Sequence, residues 1–150
     1  MTPDFVNIAK PVYEVGGLIQ LLNDAQDMHK DAKENITTFV RFQSSFSNIA
    51  HYLDKERQRI FAQFQDLPYP QKGVEQFVFS MTLLHLGILY KLYGYKKTCN
   101  SDLNFNKIAL MPKEKFRISP FSGRALRLFF SEIYRFKLNN VQEKMDLDMF

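Results

Sequence analysis

The stretch from Val74 to Lys97 constrains this chain most, because at helical spacing its apolar residues surround the axis. Val78, Met81, Ile88 and Leu92 fall on one side, and Phe79, Leu83, Leu86 and Tyr90 on the other. A helix that is apolar all round must be buried, either inside a protein or in lipid. Its uncharged part, Gln76 to Tyr90, has fifteen residues and includes Ser80, Thr82 and His85. A membrane span takes ~20 predominantly apolar residues. The expectation is therefore a central core helix over residues 74–97, preferred to a membrane span. Ser80, Gly87 and Gly94 recur along one side of it and would make a narrow helix-packing groove for a close neighbour.

The rest of the chain supplies helices to cover it. Pro11 is placed to open a helix over residues 11–33, since a first-turn proline loses no hydrogen bond. Val12, Val15, Leu18, Ile19, Leu22 and Ala25 then share one face. The polar run from Asn23 to Asn35 predicts a break near Lys33–Asn35. Over 36–66, Phe39, Phe42, Phe46, Ile49, Leu53, Ile60 and Phe64 form one stripe, predicting a long amphipathic helix that ends before Pro68 and Pro70. A second copy of the chain could pair through this Phe-rich stripe. Residues 107–119 read as a basic loop or a small β-hairpin around Pro112. Ser122 suits the N-cap of a last helix over 122–145, with Leu126, Phe129, Phe130, Ile133 and Phe136 on one side and Arg124, Arg127 and Arg135 on the other. The expected architecture is an all-α bundle of about four helices around a central apolar one.

Composition agrees with a folded domain. The chain has 150 residues, 45% hydrophobic and 24% charged, too apolar for disorder and about one domain long. One cysteine, Cys99, excludes an internal disulfide framework and a zinc site built on several thiolates. A lone thiol fits a reducing compartment, and the opening Met1-Thr2-Pro3-Asp4-Phe5 lacks the pattern of a secretory signal, so a cytoplasmic location is expected.

Motifs for catalysis are missing. No glycine-rich phosphate loop, nucleophile elbow or His-Glu-x-x-His pattern occurs. His29, His51 and His85 are far apart, and none has the Glu three residues earlier that inward-facing di-metal bundle sites use. His85, among apolar neighbours, reads as a buried neutral imidazole hydrogen-bonded to a neighbour. His51 reads as solvent-exposed. Cys99 follows Lys96 and Lys97, which would lower its pKa if it were exposed; a small loop residue is the plainer reading. No metal site and no cofactor is expected, and no enzymatic role.

Charge is where the sequence speaks about partners. Residues 107–137 carry 8 Lys/Arg against 2 Asp/Glu, in a chain whose net charge is only +4. Lys113, Lys115 and Arg117 precede the last helix, whose Arg124, Arg127 and Arg135 share a face. Arginine grips carboxylate or phosphate with a two-pronged fork, so this surface would suit an acidic partner. Phe116 and Phe121 are interleaved and could stack on bases if exposed, although core packing is the commoner fate of phenylalanine. The leading expectation is a non-enzymatic helical interaction protein that binds an acidic macromolecular partner through these six residues. The alternative is a nucleic-acid-binding protein using the same residues.

Overall fold

A computed structural model describes residues 5–117, and beyond them residues 123, 126, 127 and 129–131. The fold is all-α. The elements are α1 (Phe5–Gln26), α2 (Met28–Lys33), α3 (Phe46–Ala62), α4 (Gln71–Thr98) and α5 (Phe105–Leu110), with 3-10 turns at Phe39–Phe42, Gln63–Asp66 and Lys113–Phe116. No strand occurs among the described residues. The hairpin expected within 107–119 is therefore corrected. Its first arm belongs to α5, and Lys113–Phe116 turns as a 3-10 helix after Pro112. The apolar/polar alternation there was weak, and Asn104 decides the outcome by capping α5, its side chain accepting from Lys107 N–H at 3.0 Å.

α4 is the longest helix among the described residues, with one side buried and the other partly open, where Phe77 and Leu84 are exposed. α1 and α3 pack on it and on each other, and the Lys113–Phe116 turn closes over its far end. Val78, Ile88, Leu89, Leu92 and Tyr95 of α4 are buried against Leu18, Leu22, Ile49, Leu53, Phe61 and their neighbours. At 28 residues, α4 is longer than its uncharged stretch alone suggested. By length and composition it could cross a membrane, with a best-window mean hydropathy of 1.3, and 44% of that window is buried inside the chain. The core helix of a soluble protein passes the same test. Near its start, α4 leaves an apolar cavity of about 560 Å³ against α1, lined by Val12, Ile19, Phe64, Val74 and Phe77.

Three helix boundaries differ from expectation, each for a local reason. Helix α1 begins at Phe5 and carries Pro11 inside it, so the proline costs one ladder bond instead of opening the helix. The chain breaks at Asp27, earlier than expected, and again after α2, at the break expected near Lys33–Asn35. There Asn35 takes a left-handed φ of 55°, and the amide of Ile36 returns to the Asp31 carbonyl at 2.8 Å, a Schellman closure. Asn100 closes α4 in the same way, with Ser101 N–H donating to the Lys96 carbonyl at 2.8 Å. The long helix expected over 36–66 is shorter. Ser45 caps α3 by accepting from Asn48 N–H, and Phe39–Phe42 is a separate 3-10 turn that buries Val40 and leaves Phe42 78% exposed. Phe46, Ile49, Leu53, Ile60 and Phe64 are all buried in the chain's own core. These five members of the Phe-rich stripe are thus turned inward, and Phe42 is left outside.

Of the three small residues expected to form a groove on α4, Ser80 and Gly87 are exposed and Gly94 is buried, and a Cβ placed on Gly87 would meet nothing within 4 Å. The Ser80 hydroxyl donates to the Gln76 carbonyl at 2.9 Å. Gly87→Ala should therefore stabilise the protein by about 0.5–1 kcal/mol, the helix-propensity gain alone. Urea unfolding at equilibrium measures this, and a loss of stability would reveal a close neighbour at that face.

Charges are buried between α3 and α4. Asp54 and Arg57 are almost inaccessible, and Arg57 donates to Asp54 Oδ1 from Nε at 3.0 Å and from Nη2 at 2.9 Å. Gln58 Nε2 donates to the other oxygen at 2.7 Å. His85 is fully buried, as its apolar neighbours suggested, but neither ring nitrogen has a hydrogen-bond partner among the described residues, nor has Thr82 Oγ1. Burial, with the Arg57 charge added, holds the imidazole far below its ordinary value of 6.5, at about 3. The imidazole is thus neutral when folded and protonates near 6.5 when unfolded, so its contribution is whole above about pH 6.5 and is lost as pH falls towards 3. His85→Leu should make stability less steep in pH between about 6 and 4, by about 1.4 kcal/mol per unit. Urea midpoints of both proteins across that range test the difference, and parallel curves would contradict it.

Candidate functional site: a lysine-lined cleft

The described part of the basic segment is positioned by an aromatic anchor. Phe116 is buried, stacked on Tyr95 of α4 at 4.5 Å between ring centroids and tilted against the His29 ring at 5.3 Å. His29 clamps the same region twice. Its backbone N–H donates to the Tyr95 hydroxyl at 3.2 Å, and its Nε2 donates to the Met111 carbonyl at 2.8 Å. Thr98 Oγ1 donates to the Lys115 carbonyl at 3.1 Å. Burial pushes the Tyr95 hydroxyl up to about 12, so it stays protonated. With Phe116 turned in, Lys113, Lys115 and Arg117 are turned out and exposed. No ion pair holds any of the three among the described residues, whereas Lys107 lies 3.7 Å from Asp102.

A cleft of about 590 Å³ opens between α2, α4 and the segment running from α5 into the 3-10 turn. Four lysines line it: Lys30 and Lys33 from α2, Lys91 from α4, and Lys113 from the turn. Asp27, Glu34 and Glu114 line it too. Lys91 is the half-buried member. Burial lowers its ammonium below the ordinary lysine range, Asp27 opposes that shift, and Lys113 adds to it. None of the four lysines is ion-paired among the described residues. Tyr95, Ala109, Leu110 and Met111 give the cleft an apolar wall. On the adjoining turn of α2, the Asp31 carboxyl is buried and held above its usual range, by burial first and then by Asp24 and Asp27.

Of the six basic residues expected to bind, Lys113 reaches the cleft, and Lys115 and Arg117 stand exposed beside it in the chain. Arg127 is exposed, with Phe129 and Phe130 also exposed nearby in sequence. Arg124 and Arg135 lie outside the described residues, as does most of the expected 122–145 helix. Sequence reading missed Lys30, Lys33, Lys91 and the His29 clamp. Lys91 did leave a signal, being the one charge in the stretch from Gln76 to Tyr95. Cys99 is buried and burial pushes its thiol up, so Lys96 and Lys97 do not activate it. His51 is exposed, its Nδ1 bonded to the Ser47 carbonyl at 2.7 Å. Among the described residues no three His, Cys, Asp or Glu gather as metal ligands.

No protein-family model, no curated protein and no solved structure matches this chain. The geometry must carry the functional reading alone. His29→Ala should loosen the turn without unfolding α1, α3 and α4. Amide exchange over 111–117 should speed by about tenfold, the loss of one buried hydrogen bond and its ring contact. Unchanged protection there would show that His29 is not the clamp.

Proposed function

We propose that this chain is a non-enzymatic helical interaction protein that docks an acidic macromolecular partner on its basic carboxyl-terminal portion. The observation that carries the reading is the outward, unpaired state of Lys113, Lys115 and Arg117 among the described residues, on a turn anchored by Phe116. Anchoring matters because a fixed backbone spares the partner the cost of ordering a loop on binding. Arg127 extends the surface, and Arg124 and Arg135 would do so by their sequence positions. A reducing, cytoplasmic setting belongs to the same proposal.

The second reading is nucleic-acid binding through the same cations. Phe116 counts against it, since its ring is spent on Tyr95 and His29 and cannot stack on bases. Phe129 and Phe130 count for it, being 40% and 63% exposed close to Arg127. The two readings separate on two immobilised probes, polyglutamate and a single-stranded oligonucleotide, each at low and moderate salt. Retention on polyglutamate should fall by about tenfold or more when Lys113, Arg117 and Arg127 are all changed to Glu, with the circular dichroism spectrum unaltered. Equal retention of wild type and charge-reversed protein would defeat the docking proposal. Stronger retention on the oligonucleotide with a steep salt dependence would favour the second reading.

A further inference from the structure

We infer that the cleft between α2, α4 and the 3-10 turn is a binding site for a small organic molecule carrying a single phosphate group, held by Lys91 and Lys113. This site does not require the macromolecular docking proposed above, although Lys113 borders both.

The cleft's volume, about 590 Å³, lies in the range of small-molecule sites and is far too small for a folded partner. Four lysines from three separate elements line one cavity, and none has an ion-pair partner among the described residues. A half-buried cation such as Lys91 gains most from an anion that enters the cavity, because its hydration is already reduced. Lysines act as point charges that a phosphate can meet with several oxygens at once. A carboxylate offers two oxygens in one plane and suits this arrangement less well.

The three acids limit what can enter. Asp27, Glu34 and Glu114 leave the lining with one net positive charge against its four lysines. A chain of phosphates would bring far more negative charge than this lining can balance, whereas one phosphate group comes closer to matching it. The apolar wall supplies the rest of the recognition. Leu110 is 87% exposed at the cleft, beside Ala109 and Met111. An apolar or aromatic body attached to the phosphate would cover that leucine, burying surface worth about 25 cal/mol per Å².

The test is a heteronuclear NMR titration of the full chain with phenyl phosphate, inorganic phosphate and benzoate. Phenyl phosphate should produce saturable shifts at amides of 27–34, 91–95 and 109–114, and should bind more tightly than inorganic phosphate. Benzoate should bind about tenfold more weakly than phenyl phosphate, the difference in charge-assisted hydrogen bonding. Lys91→Met should weaken phenyl phosphate by about tenfold or more, while Lys91→Arg should retain most of the affinity. Lys113→Ala, at an exposed position, gives a second reading of the same site if Lys91→Met does not fold. Arg127→Glu should leave phenyl phosphate binding unchanged, so a failed docking surface and a failed cleft give different results. Shifts that rise linearly to about 10 mM, equal binding of benzoate, or full affinity in both Lys91→Met and Lys113→Ala would overturn the inference.

Discussion

The apolar side of α4 formed by Val78, Ile88, Leu89 and Leu92 is removed from water, and the fold is organised by covering it. Leu18 and Leu22 of α1 and Ile49, Leu53 and Phe61 of α3 belong to the core that α4 completes. Tyr95, a turn from its end, is closed off by Phe116 and by the His29 amide. Each covering element therefore has its position set by the same helix. The cleft lies beside this cover, where Lys91 of α4 meets α2 and the 3-10 turn. A site at the edge of a covered helix combines a rigid floor with access from outside, which a site in the centre of the core would lack.

The Asp54–Arg57 pair places two charges in a mostly apolar interior. Two charges nearly removed from water gain little net stability over apolar residues of the same shape, yet losing either one strands the other. Arg57 also faces His85 closely enough to disfavour its protonation, so a neutral ring and a charged pair share one interface. The orphaned ring nitrogens and Thr82 Oγ1 make this the least satisfied part of the described core. At the other side of α3, Arg59 joins Glu56 at 2.8 Å and Glu14 of α1 at 2.8 Å, with Gln63 on the same Glu14 oxygen at 2.6 Å. The Gln63 hydrogen bond is the main cause that holds the Glu14 carboxyl below its usual range. This exposed network ties α1 to α3 where the screened charges count for less.

The all-α class was legible because three-and-four spacing of large apolar residues is a direct consequence of helical geometry. Leu18, Leu22, Ile49, Leu53, Ile60, Val78, Ile88 and Leu92 are all buried, and each stands in such a pattern. What periodicity could not show was where helices stop. Phe39 and Phe42 kept the rhythm of the stripe, but Ser45 offered a cap, and the cap set the start of α3. Pro11 kept the appearance of a helix start, yet the chain is helical from Phe5. The cleft was illegible for a different reason. Its lysines come from positions 30, 33, 91 and 113, and only the packing of distant elements brings them together. The basic segment could be read from charge alone, because its residues are neighbours in the chain.

The His29–Met111 contact spans 82 positions of sequence, and α2 meets α5 across a similar interval. Both walls of the cleft are in place only when positions this far apart in the chain have met. A molecule held between them would favour the fully assembled chain over any form in which that contact is open, by mass action.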